Sequence, residues 1–441
     1  MAAGCAPHAA ATEDPGVAPK AEAAVSGSAP NADGLSPAAE LGKALFFDAG
    51  LSASGKLSCA SCHDPAHAYA PANGLSVQLG GPDMNRPGTR AVPSLRYKEF
   101  TPPFADLLDN PDGISAPGPG GGFTWDGRAA TLAEQARVPL LSAVEMANDS
   151  AAALVARVLA SPEASSFTHL FKGDPKRDPD AALDAVGAAL QAFQIEDPSF
   201  HPYSSKFDLY LGNKIGGDLT PAEVRGLKLF SDANKGNCAS CHYQGAGLNG
   251  SSAMFTDYSF EAIGVPRNAA LLENGDGEYY DLGVCGPARS DHRAEPRAAN
   301  TFCGMFKTPT LRNVSARSNF FHNGVLHSLE QVLRFYNTRD TRPELWYPTV
   351  GGKAKLTPDA GFPSYGLATS QYVGGTVVKY DDLPTQFNGN IDAQMPLDGR
   401  KPGAPAPLTE QNIADLLCFL STLTDDYQPP ASPVTTGPCS Q

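Results

Sequence analysis

Basic residues are the first shortage: 33 Lys and Arg stand against 47 Asp and Glu in 441 residues, a net charge of −14. That balance opposes the phosphate contacts on which nucleic-acid affinity depends, and so disfavours DNA or RNA as a partner. Long apolar runs are missing as well. No stretch approaches the ~18 consecutive apolar residues of a membrane helix, which predicts a soluble chain without a transmembrane segment. The opening residues, MAAGCAPHAAATEDPG, contain neither a basic n-region nor an apolar h-region, so no secretory signal is visible. The string AAGC resembles the end of a bacterial lipoprotein cleavage site, which would make Cys5 a lipid-anchored residue; an Ala-rich tail is the plainer alternative. Large apolar groups are scarce throughout residues 1–34, too scarce to offset the entropy of ordering them. This segment reads as a flexible leader.

What remains is globular. Apolar residues with glycine make up about 48% of the chain, inside the usual range, and the length suits two large units or three smaller ones. The 44 Gly and 39 Pro predict short helices joined by long loops. The first periodic segment is LSPAAELGKALFFD (35–48), where Ser36 can cap, Pro37 takes the first helical position, and Leu41, Leu45 and Phe46 share a face. About 180 residues later LTPAEVRGLKLFSD (219–232) matches it at seven of fourteen positions, with a capping box in Thr220 and Glu223. Each helix leads into the same pentapeptide, CASCH. An internal duplication therefore divides the chain near 205–218, and predicts units at 35–205 and 206–425 with a Pro-rich tail at 426–441. Further helices are expected at 130–149, 151–161, 180–194, 327–339 and 408–425, with no competing strand pattern.

Covalent c-type haem attachment needs two thiols spaced to add across two vinyl groups, followed at once by a His that reaches the iron. Cys59, Cys62 and His63 meet this requirement, and so do Cys238, Cys241 and His242. A redox dithiol has no need of the His, and a zinc site would want a second ligand pair beside each first one. Two c-type haems are expected, with His63 and His242 as iron ligands. Haem attachment of this kind is extracytoplasmic in bacteria, so the expected compartment is the periplasm or cell envelope, where disulfides are permitted. Cys285 and Cys303 lie in matching contexts, VCGP and FCGM, and are expected to pair. Cys418, on the apolar face of the last helix, is expected to be a buried thiol.

With these motifs in hand, the chain resembles the bacterial di-haem cytochrome c peroxidase superfamily, and within it the MauG-like branch. The resemblance covers roughly 35–425 and rests also on FTWDGRAATLAEQARVPLLSAVEM (123–146), FKTPTLRNV (306–314), FFHNGVLHSLEQVLRFYNTRDT (320–341) and the last helix. It implies a mainly α fold of two cytochrome-c-like haem domains with long loops. One haem reacts with hydrogen peroxide and the other stores or relays electrons. By position, Trp125 matches the tryptophan between the haems, Gln135 a distal-pocket residue, and Glu145 the distal acid that handles protons during O–O cleavage. Taken singly they would read as a core Trp, a surface Gln and a helix-face Glu.

Many peroxidases of the family carry a His in the loop after the first CxxCH, which blocks the iron until reduction moves it. Here that loop (73–95) has none, and His67 is too close in sequence to His63 to cross the haem plane. The first haem is expected to be open or water-ligated. Tyr336 lies fourteen residues after His322, where MauG-like proteins have a tyrosine ligand and the peroxidases a Met; a core Tyr with Met305 as the ligand is the alternative. Ala91 stands where the family places an Asn on an interdomain calcium, leaving only backbone carbonyls for that ion. Gly236 stands where MauG carries a surface Trp, so the partner and hole-exit route need not transfer.

The resulting expectation is a peroxide-dependent oxidoreductase that uses a high-valent di-haem state to oxidise a secreted partner protein. A peroxide-scavenging cytochrome c peroxidase fed by a small electron-donor protein is the runner-up, and a non-enzymatic di-haem carrier the third reading.

Overall fold

The computed structural model describes residues 34–113, 115–246, 251–289, 301–350, 353–355, 371–373, 375–430 and 437–440. Apart from Gly34 the leader, Cys5 included, lies outside them. The described residues are mostly helical, with helices α1 (Pro37–Phe47), α2 (Cys59–Cys62), α3 (Leu132–Leu141), α4 (Ala151–Ala160), α5 (Ala164–Leu170), α6 (Pro179–Glu196), α7 (Lys206–Leu211), α8 (Pro221–Ser231), α9 (Leu329–Thr338) and α10 (Glu410–Ser421). Strands occur only as short antiparallel ribbons among these residues, such as Leu79–Gly80 against Arg86–Pro87 and Phe260–Glu261 against Phe306–Lys307. None of the described helices is long and apolar enough to cross a membrane.

The two helices of the sequence repeat form as their caps predict. The Ser36 hydroxyl accepts the Ala39 amide at 3.2 Å, and Thr220 and Glu223 cap one another's amides at 2.7 and 3.3 Å. The duplication reaches further than the sequence repeat. Helix α1 crosses α6 through Gly42, where an added Cβ would stand 1.9 Å from the Ala189 carbonyl oxygen. At the equivalent position in the repeat, α8 crosses α10 through Gly226, where the Cβ would stand 2.0 Å from the Asp415 carbonyl oxygen. Four residues past each crossing an aromatic pair locks the helices edge to face: Phe46 with Phe193 at 5.5 Å, and Phe230 with Phe419 at 5.2 Å.

Each crossing nucleates its own apolar cluster. One draws its buried side chains from Leu41 to Phe200 and is built on α1, α3, α4 and α6; the other runs from Phe207 to Leu423 and is built on α8, α9 and α10. Buried polar groups join the two. Arg96 donates to Asp425 at 3.1 Å, and the same carboxylate accepts the Tyr97 hydroxyl at 2.7 Å and the Asn313 amide at 2.6 Å.

Three expectations need correction. The helix expected at 130–149 ends at Leu141, because the Asn148 side chain takes the Leu140 carbonyl at 2.9 Å and folds 142–147 into a turn. The tail returns to the fold: the Thr220 hydroxyl donates to the Cys439 carbonyl at 2.6 Å, and Cys418 is bonded to Cys439 rather than being a thiol. The disulfide forms because that return brings the two Cα atoms to 5.4 Å, a proximity the local helical pattern around Cys418 does not encode. Cys285 and Cys303 pair as expected.

Candidate functional site

With both disulfides formed, the four CxxCH thiols stay unpaired. Cys59 and Cys62 lie on the short helix α2, opened by Ser58 and Ser61 capping each other, while Cys238 to Ser240 form one 3₁₀ turn entered through Asn237 in the left-handed region (φ 47°). Burial pushes the Cys59, Cys62 and Cys238 thiols up to about 12, and none has a cation beside it to favour the thiolate. A redox dithiol depends on a lowered thiol pKa; these are the opposite.

The two histidines are held alike. His63 Nδ1 lies 3.0 Å from the Tyr69 carbonyl and His242 Nδ1 lies 3.0 Å from the Phe255 carbonyl. A carbonyl only accepts, so Nδ1 carries the proton and each Nε2 keeps its lone pair. Burial lowers both imidazoles to about 4, which keeps them neutral. A neutral imidazole whose Nδ1 is fixed on a carbonyl is the arrangement an axial iron ligand requires.

Around the second motif lies a mostly apolar cavity of about 210 Å³, lined by Cys238, Cys241, His242, Leu333, Tyr336 and Met395 among others. The Tyr336 hydroxyl faces it without a hydrogen-bond partner among the described residues, and burial holds its phenol protonated. A buried phenol with no acceptor loses its proton only if a cation takes the proton's place, which a ferric iron does. Met305 is absent from this lining and packs instead against Phe260 and Val284. Met395 does line the cavity, but its sulfur accepts from Arg400 at 3.6 Å. The Cys238 and Cys241 thiols, the His242 imidazole and the Tyr336 phenol fit a c-type haem at this motif.

Around the first motif the turn 142–147 brings Glu145 close enough to Cys59 and Cys62 for its charge to raise both thiols. Burial raises the Glu145 carboxyl above its ordinary value, although Ser142 and Arg128 partly offset this. The 79–87 ribbon closes on the turn with the Gly81 amide on the Glu145 carbonyl at 2.8 Å, and a Cβ on Gly80 would meet the Val144 carbonyl at 2.4 Å. The loop 73–95 thus covers this face without a His. Its Met84 packs against the first apolar cluster, with its sulfur accepting the Ser54 hydroxyl at 3.4 Å. Gln135 lies partly buried on α3, ten residues before Glu145.

Trp125 lines the second cavity and donates its indole N–H to the Ala91 carbonyl at 2.8 Å, while its own carbonyl accepts the Lys307 amide at 2.9 Å. Beside it, Asp126 is wholly buried between Arg90 at 2.8 Å and Arg128 at 2.7 Å, and Arg90 forks onto Asp281 at 2.6 and 2.7 Å. This network was not foreseen, although Asp126 and Arg128 flank Trp125 in the WDGR string that could have pointed to it. The indole already occupies the Ala91 carbonyl, and no cluster of three His, Cys, Asp or Glu suited to a metal ion occurs among the described residues.

Comparison with known proteins agrees with this geometry. A family model described as di-haem cytochrome c peroxidase matches residues 36–215. The chain is 34% identical over 406 residues to methylamine utilization protein MauG of Paracoccus denitrificans, a match covering 89% of each. It belongs to the di-haem cytochrome c peroxidase family. Within that family it is also 30% identical over 298 residues to the cytochrome c551 peroxidase of Pseudomonas aeruginosa, covering 67% of this chain and 70% of that one. The crystal structure of the dihaem peroxidase BthA from Burkholderia thailandensis superposes with a TM-score of 0.74 at 36% identity, over 90% of this chain and 87% of that one. Di-haem cytochrome c peroxidases are oxidoreductases, and membership implies two c-type haems.

Proposed function

We propose that this di-haem oxidoreductase reacts with hydrogen peroxide on the Cys59–Cys62–His63 side and draws the electrons from aromatic side chains of a partner protein. The observation that carries this reading is Tyr336, which lines the second cavity together with His242 and has no hydrogen-bond partner among the described residues. An anionic oxygen donor favours the higher oxidation states of iron, whereas a thioether would favour the ferrous electron donor of a scavenging peroxidase.

The two haems, when attached, supply the redox iron. The chain supplies the rest. Glu145, whose proton affinity burial raises, takes a proton from peroxide and returns it to the leaving oxygen. Gln135 orients peroxide beside it. Trp125, fixed at both its indole nitrogen and its carbonyl, is the path between the two sites. Per peroxide, two electrons from the partner and two protons yield two waters. We assign the two apolar clusters to haem domains at 35–205 and 206–425, and the protein to an extracytoplasmic compartment, which its two disulfides suit. With Ala91 supplying no side-chain donor, we assign no calcium role to that loop.

The relatives named cytochrome c peroxidase support a second reading, scavenging fed by an electron-donor protein. Stopped-flow mixing of the diferric protein with peroxide, without reductant, separates the two. Under the first reading both haem spectra change together, and Tyr336→Phe abolishes the change at the second haem. No reaction until an electron is supplied would promote the second reading.

A further inference from the structure

Three cations line the cavity, whose lining also includes Glu261, Asp281, Asp382 and Asp392. Lys98 comes from the segment after the first loop, Lys307 from the 306–307 strand and Arg317 from the turn after Val314–Ala316. Among the described residues none of the three forms an ion pair. The Lys98 ammonium has no hydrogen-bond partner, Lys307 donates only to the Gly122 carbonyl, and Arg317 donates to the Val92 carbonyl at 3.2 Å and to Asn319 at 3.3 Å.

They also crowd one another. Burial, with the nearby Arg317 charge behind it, lowers the Lys98 ammonium to about 8, and Glu99 offsets only part of this. Burial likewise depresses Lys307, which Lys98 repels in turn, and brings Arg317 down to about 10. Lys98 and Arg317 act on the His63 imidazole too, so the cluster lies between the two CxxCH sites. Elsewhere this chain answers its buried cations: Arg90 with Asp126 and Asp281, Arg312 with Asp208, Lys206 with Glu223. Lys98, Lys307 and Arg317 are only half-buried, yet no carboxylate pairs with any of them among the described residues, so a ligand that supplies the counter-charge would relieve their mutual repulsion.

We propose that Lys98, Lys307 and Arg317 form a shared anion site for the propionate carboxylates of the two haems. The proposal rests on the haem reading of the CxxCH motifs. A c-type haem is anchored on its vinyl side and carries two carboxylates on the opposite edge, so its anionic edge must be satisfied away from the cysteines. Both halves of the chain contribute to the site, Lys98 from the first and Lys307 and Arg317 from the second. It therefore also joins them electrostatically once the haems are in place. The cavity already belongs to a covalently attached group, which makes the carboxylates of that group, rather than a free anion, the occupant.

The test is spectroelectrochemical titration of the holoprotein carrying Lys98→Met or Lys307→Met, with covalent haem content measured on the denatured chain. Removing a positive charge beside an iron favours the ferric state, so the ferrous-to-ferric ratio at a fixed poise falls about tenfold, and Lys→Arg at the same position restores it. Wild-type midpoints in both Met variants, with two haems still attached, would overturn the proposal. A chain that carries no covalent haem would overturn the underlying haem reading instead. Because a Met variant can fail to fold, the wild-type holoprotein provides an independent check with haem labelled with carbon-13 at the propionates. Infrared difference spectra at pH 6 should place the label in ionised carboxylates. Label found as protonated acid would overturn the site, and an unlabelled anion band responding in its place would assign the cations to a free anion.

Discussion

Glu145 and Asp126 are both buried carboxyls, and their surroundings push them in opposite directions. Glu145 has only Ser142 and a more distant Arg128 against the cost of burial, and is raised; for Asp126 burial would do the same, but Arg90 and Arg128 outweigh it and hold the group at about 2. The first is suited to moving a proton and the second to holding charge. Glu145→Gln should therefore slow the reaction with peroxide by about 10²–10⁴-fold while leaving haem content intact, measured by stopped-flow absorbance. Asp126→Asn should instead cost roughly 1–3 kcal/mol of stability by removing the carboxylate that Arg90 and Arg128 share, while Arg90 keeps Asp281, read from denaturant unfolding. Since the folded value of Asp126 lies below its ordinary one, its contribution is present above about pH 4 and is lost as pH falls through about 2. It amounts to about 2 kcal/mol, and the variant should show a correspondingly flatter acid limb. The residue types and spacing of Trp125, Gln135 and Glu145 were legible in the sequence. The Arg90–Asp126–Asp281 network was not, because its members lie 36 and 191 residues from Arg90 and no local pattern relates them.

At the scale of elements, the glycines at the two helix crossings are the most exacting positions. In an isolated helix Ala is favoured over Gly by about 1 kcal/mol. Here the new methyl group at position 42 or 226 would meet a backbone carbonyl near 2 Å, and that carbonyl belongs to a second rigid helix. Gly42→Ala and Gly226→Ala should each destabilise the protein by roughly 1–3 kcal/mol in chemical denaturation. A gain in stability at either position would mean that the crossing is loose. Helices α1, α6, α8 and α10 could be read from their periodicity and caps. The short α5 and α7 could not, since six or seven residues are too few to show a period, and the apolar pattern of 130–149 concealed the turn that carries Glu145.

Over the whole molecule, the chain's last residues are tied down far from where sequence proximity would leave them. The Cys418–Cys439 bond closes a loop of 21 residues onto α10, beside the start of α8. Replacing both cysteines by Ala should lower stability by about 3 kcal/mol, measured by thermal unfolding under non-reducing conditions, with the haem spectra unchanged. Both proteins in reductant, where the Cys285–Cys303 bond is open in each, should share one midpoint, and equal midpoints for both proteins without reductant would deny the Cys418–Cys439 bond a stabilising role. The Arg96–Asp425 and Arg90–Asp281 contacts join the two apolar clusters, so the cation site and Trp125 sit where both halves meet.

Some of this protein could be read directly from its sequence. CASCH repeated behind matching helices points to covalent attachment by chemistry that needs only five consecutive residues, and capping and periodicity are local properties of the backbone. Tertiary structure alone decided which Met the cavity excludes, which cysteine Cys418 meets, where α3 stops and which cations have no ion pair among the described residues. Each of these depends on distances between residues remote in the chain, set by close packing at the two helix crossings and by the cost of burying charge, and neither is written in any short stretch of sequence.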